Sequence, residues 1–175
     1  AYALEKSLVK LDEALMKVLE HMPPELYSDI VNSGIYLAGG GALIKGLDRR
    51  LHEKTGIKVI YGVESYCFDA LTAGAPRDWD TILDSLRKKE AYTYHQIILV
   101  KNNVGLKNLY GLVSRAHTDH FYKKPIILKS DLAANREGLI IGTACQAGEL
   151  YRALLNNASE ERIQEIVNFY DYMEI

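Results

Sequence analysis

The chain has 175 residues, 48% of them apolar, and a formal net charge of −2. That is enough to bury one good core or two poor ones. The basic residues are dispersed apart from short clusters at Arg87–Lys89 and Lys123–Lys124, which argues against direct nucleic-acid binding, since that needs a patch or stripe of Lys and Arg. No apolar run is long enough to cross a bilayer, and Cys67 and Cys145 stand far apart. The chain therefore reads as a cytoplasmic protein that requires no disulfide.

In chain order, Leu4, Leu8, Leu11, Leu15 and Leu19 recur at helical spacing with charged residues between them, predicting an amphipathic helix. Pro23 and Pro24 end it, and the second proline suits the first turn of a short helix through Ile30. Ile35–Ala38 reads as a short buried strand that empties into Gly39, Gly40 and Gly41, and residues 42–54 regain helical periodicity. Ile57–Tyr61 is expected to be a second strand and Ser65–Ala75 a short helix. Asp78 then caps a helix carrying Trp79, Ile82, Leu83 and Leu86.

Tyr94–Val100 is the clearest strand, rich in β-branched residues, and a helix is expected from Asn102–Gly105 to Ala116 or beyond. His117–Lys129 reads as a polar, aromatic loop, and Ser130 with Asp131 opens one helical turn. Leu139–Ile141 reads as a strand, followed by helices over about 148–155 and from Ser159. Tyr170–Ile175 is expected to be a strand. The alternation of strands and helices indicates an α/β fold.

Two constellations carry chemistry. In the first, three glycines between a strand and a helix let the backbone approach a ligand, with amides directed at a negative group; tight turns use glycine too. The run Pro23-Pro24-Glu25-Leu26, Asp29-Ile30 and Gly34-Ile35-Tyr36-Leu37-Ala38-Gly39-Gly40-Gly41-Ala42-Leu43-Ile44-Lys45-Gly46-Leu47-Asp48, continuing through Glu53–Val59 and Ala70–Gly74 to Lys88, resembles the carboxyl-terminal part of MreB-type bacterial actins. The resemblance implies an actin-like subdomain fragment over residues 1–90, in which Gly39, Gly40 and Gly41 face ATP with magnesium through backbone atoms. The rest of that family's phosphate machinery is not in this stretch, so tight nucleotide binding and ATP hydrolysis are not expected.

In the second, Tyr94–Asn102, Gly105–Ser114, Phe121-Tyr122, Pro125, Arg136–Gly142, Ala144-Cys145, Gly148-Glu149-Leu150 and Phe169–Tyr172 are similar to the PHP domain of PolC-type DNA polymerase III α subunits. The resemblance implies a partial (β/α) barrel over residues 91–175. PHP domains are distorted barrels in which His, Asp, Glu and Cys side chains can hold a divalent metal. Cys145 matches the cysteine of that cluster, and a thiolate where a strand gives way to a helix suits a borderline metal. The plain alternative is a buried small hydrophobe. His117 and His120, three apart, either share a metal or form a solvated helix end. His95 leads a buried strand and Glu149 begins a helix; either suits a structural role.

The resemblances imply a chimera-like bacterial chain: part of a cell-shape cytoskeletal nucleotide-binding module joined near residue 90 to part of a polymerase PHP domain, with no complete enzymatic function and no tightly bound ATP or metal. One alternative is a PHP-domain piece with residual metal-dependent phosphoesterase chemistry. Another is a self-contained α/β domain binding phosphate at Gly39–Gly41. Truncated cores would leave apolar faces open to self-association.

Overall fold

In the computed structural model, which describes residues 2–174, the leucine-spaced opening stretch is helical over Glu5–Glu20 (α1). Of its apolar residues Leu19 is buried, while Val9, Leu11 and Val18 are exposed. Asp12 is also buried, and it accepts bonds from Arg50 Nε at 2.9 Å and Nη2 at 2.7 Å. Pro24 is the first residue of α2, Pro24–Ser33, where its missing amide costs nothing. Gly34 makes the exit at φ 102°, and a Cβ there would sit 2.9 Å from the Lys58 carbonyl oxygen. Both the backbone angle and the crowding require glycine.

The strand Ile35–Leu37 (β1) pairs in parallel with residues 59–61. The helix expected over 42–54 is shorter. A 3₁₀ turn spans Gly40–Leu43, the chain bends again at Gly46 with φ 82°, and α3 covers only Leu47–Thr55. Among the described residues, Leu19, Leu47, Leu51 and Ile57 are the buried apolar ones of this unit.

The chain divides into two compact units between Tyr61 and Gly62, within a strand that runs Val59–Phe68 (β2). The short helix expected over Ser65–Ala75 is a correction: Ser65–Phe68 extend the strand, and Asp69 then turns the chain by accepting from the Leu71 and Thr72 amides. Valine, tyrosine and phenylalanine alternating with smaller or polar residues favour the pleat over a helix. Residues 62–90 fall within the second unit.

In that unit α4 (Trp79–Lys88) is capped by Asp78, which accepts from the Thr81 amide. Next come β3 (Tyr94–Val100), α5 (Asn103–Thr118), β4 (Phe121–Tyr122), β5 (Lys124–Leu128), α6 (Lys129–Ala134), β6 (Leu139–Gly142), α7 (Glu149–Leu155) and α8 (Glu160–Phe169). Strands β4 and β5 replace the loop expected over His117–Lys129. The sheet order is β4-β5-β2-β3-β6. Strand β5 runs parallel to β2, whereas β3 is antiparallel to both β2 and β6, so the sheet is mixed.

Strand alternation sends Ile98, Ile127 and Ile141 to one face, where they pack with Leu109 and Leu112 of α5, Leu132 of α6 and Ile166 of α8. It sends Phe68, Ile126 and Leu128 to the other, against Ile82 of α4. The final segment is not the strand expected over Tyr170–Ile175. Tyr172 makes a single bridge to Gly142, and Ile175 lies outside the described residues.

Candidate metal centre

Glu64 and His95 come together through strand register. Tyr66 is the partner of His95 and Ile97 that of Glu64, so Glu64 and His95 are diagonal neighbours on one face of the antiparallel pair. His95 Nδ1 lies 2.8 Å from Glu64 Oε1 and 3.6 Å from Cys145 Sγ. The His95 ring also meets Tyr66 edge-on, with centroids 5.0 Å apart.

Cys145 arrives from the loop between β6 and α7. That loop is folded tightly: Ala144 takes φ 57°, unusual for a residue with a side chain, and the Gly148 amide donates to the Cys145 carbonyl at 2.7 Å. The His95 amide donates to the Ala147 carbonyl at 3.0 Å, tying the loop to β3. The Ala147 amide lies 3.5 Å from Cys145 Sγ and donates to it. A Cβ on Gly148 would fall 2.0 Å from the Thr143 carbonyl oxygen, so only glycine permits this loop path.

A carboxylate oxygen, an imidazole nitrogen and a sulfur thus lie within 4.8 Å of one another, the one such group of three among the described residues. Ligand atoms in a tetrahedral zinc site stand about 3.4 Å apart, from bond lengths of roughly 2.0–2.3 Å. The trio fits an ion after small movements. Its mixed N, O and S donors suit a borderline cation such as zinc, and three protein ligands leave a position open.

The cluster assembles Cys145 and His95, both singled out in the sequence, and adds Glu64, which was missed. Cys145 is exposed, not a buried hydrophobe; the buried cysteine is Cys67. His117 and His120 take separate paths. His117 Nδ1 contacts the Val113 carbonyl in its own helix, while the His120 ring packs 5.0 Å from Trp79, where burial holds its pKa below the ordinary histidine value. Gly39, Gly40 and Gly41 would each accept a Cβ without a neighbour within 4 Å, so crowding within the chain does not demand glycine there.

A family model for the PHP domain matches residues 45–174, and the chain belongs to that family. A second model, for MreB/Mbl protein, matches residues 1–80. Among curated relatives, the chain is 50% identical over 93 residues to the PolC-type DNA polymerase III of Clostridium perfringens, covering 53% of this chain and 6% of that protein. It is 47% identical over 98 residues to that of Thermotoga maritima, covering 56% and 7%, and 40% identical over 100 residues to that of Bacillus subtilis, covering 55% and 7%. The chain spans a small fraction of the length of these relatives.

Proposed function

We propose that this chain is a metal-binding PHP module in which Glu64, His95 and Cys145 hold one divalent cation. The observation that carries this reading is the convergence of three different donor types within 4.8 Å on two paired strands and a loop that packing fixes. A bound cation would supply Lewis acidity at its open position. The protein's part is to keep the three donors on one side of that position and to hold the thiolate with the Ala147 amide.

Elemental analysis of purified protein tests this. About one zinc or similar ion per chain, lost in Cys145→Ala, is the expected result; a chain without stoichiometric metal after loading would refute it. Phosphoesterase turnover is a second reading, favoured by the open position that three ligands leave. Metal-dependent hydrolysis of bis(p-nitrophenyl) phosphate, abolished by His95→Ala, would support it.

The change from one resemblance to the other is placed here between residues 45 and 80. The overlap of the two family models supports this, as does the division of the chain at Tyr61. The Gly39–Gly41 turn is proposed as a phosphate-facing remnant without tight affinity, supported by its open surroundings. Saturable, tight magnesium-ATP binding in a calorimetric titration would overturn that assignment.

A further inference from the structure

Four residues beyond Cys145, Glu149 begins α7 with its side chain buried at 3% exposure. Its carboxylate accepts from three donors: Lys129 Nζ at 2.6 Å and the Tyr170 hydroxyl at 2.9 Å on Oε2, and Arg162 Nη2 at 2.7 Å on Oε1. These donors come from α6, from the residue after α8, and from α8 itself. Arg162 Nη2 also donates to Asp69 at 2.6 Å, at the end of β2. Lys129 is equally buried, at 3%, and its ammonium lies 4.5 Å from the centre of the Phe169 ring. Such a group of buried charges stabilises a fold no better than apolar packing would. What it provides is a fixed direction, because a carboxylate with donors from α6 and from both ends of α8 has one place to sit.

We infer that Glu149 is a positioning residue for the metal centre, acting through the loop that carries Cys145. The loop has one short tie to the sheet, the His95 amide on the Ala147 carbonyl, and one bond that closes the loop on itself, the Gly148 amide on the Cys145 carbonyl. Ala147 and Gly148 are the two residues immediately before Glu149. With its carboxylate anchored, the start of α7 cannot translate along the sheet, and the Cys145 sulfur is held within reach of His95 and Glu64. Without the anchor, the thiolate has the freedom of a surface loop, and the site loses its soft donor first.

This inference rests on the metal-binding reading, and the test separates the two. Cobalt(II) is titrated into the reduced full chain while the thiolate-to-cobalt charge-transfer absorption is followed, in wild type, Glu149→Gln, Tyr170→Phe and Leu112→Ala. Tyr170→Phe removes one donor without changing volume. Leu112→Ala is a destabilised control in the α5 core, a change of apolar packing that removes no donor to Glu149. Glu149→Gln is expected to weaken cobalt binding about 10- to 100-fold, the range for loss of an outer-shell partner, and to diminish the charge-transfer band at saturation. Tyr170→Phe is expected to give a smaller loss in the same direction, and Leu112→Ala wild-type affinity and band. Wild-type behaviour in a folded Glu149→Gln, or in Tyr170→Phe where Glu149→Gln fails to fold, would overturn the inference and leave the metal reading standing. No band in wild type would overturn both.

Discussion

Glu64 and His95 meet across β2 and β3 at 2.8 Å although 31 residues separate them in sequence, and neither is the other's direct register partner. The diagonal relation depends on β2 continuing through Glu64 to Phe68. Had the chain turned helical at Ser65, Glu64 would have no fixed position. The length of one strand therefore decides whether a donor pair exists.

The two cysteines should differ in reactivity. Cys145 is exposed and Cys67 buried, where burial, followed by the nearby Glu149 carboxylate, pushes the Cys67 thiol up. A colorimetric thiol reagent is expected to titrate one thiol per native chain and two after denaturation, with zinc slowing the native reaction. Rapid labelling of both thiols in the native protein would contradict this.

Acid should weaken the second unit in a defined window. Burial pulls the Asp69 carboxyl upward, but Thr72, Lys129, the Leu71 amide and Arg162 outweigh it and hold the pKa at about 2. An unfolded aspartate titrates near about 3.9, so the stabilisation is complete above that pH and is lost as pH falls toward about 2. Allowing for solvent screening, it is worth on the order of 1 kcal/mol. Urea melts of wild type and Asp69→Asn should converge between about pH 4 and pH 2; curves that stay parallel would show that Asp69 ionisation does not stabilise the fold.

Two glycines of α5 make a matched pair. A Cβ on Gly105 would lie 1.8 Å from the Gly138 carbonyl oxygen, whereas one on Gly111 meets nothing within 4 Å. Gly105→Ala is expected to destabilise by about 2 kcal/mol or more through overpacking. Gly111→Ala should stabilise by up to about 1 kcal/mol through helix propensity. Thermal melts read both, and equal effects would contradict the close approach of α5 to the turn before β6.

The exposed apolar residues of the first unit should drive association. Leu11, Val18, Leu26 and Val31 are all exposed, more than isolated surface leucines would explain. Sedimentation velocity is expected to show concentration-dependent oligomers that a Leu11→Lys, Val18→Lys double variant reduces. A wild-type monomer at high concentration would refute the prediction.

Much of the fold was legible because periodicity and caps are local. The Tyr94–Val100 strand and the Asn102 and Ser159 helix starts carry their signals within a few residues. The misjudged segments lacked such signals. Ser65–Phe68 is a strand because β3 and β5 flank it, and Lys124–Leu128 because it lies beside β2. Cys145 was visible through its family resemblance and its place after a strand. Glu64 was not, because its role depends on a diagonal pairing, although the β-branched and aromatic residues recurring from Val59 to Phe68 were the available clue. Glu149 reads from sequence only as a helix start, since its three donors come from distant segments.

Calorimetric titration of zinc into the reduced full chain and its Glu64→Gln, His95→Ala and Cys145→Ser variants reads whether Glu64, His95 and Cys145 form one metal site. Saturable binding of about one ion per chain is expected, weakened by Glu64→Gln and abolished by the other two substitutions while their circular dichroism stays that of wild type. Binding that survives in folded Cys145→Ser and His95→Ala, or no saturable binding in wild type, would contradict it.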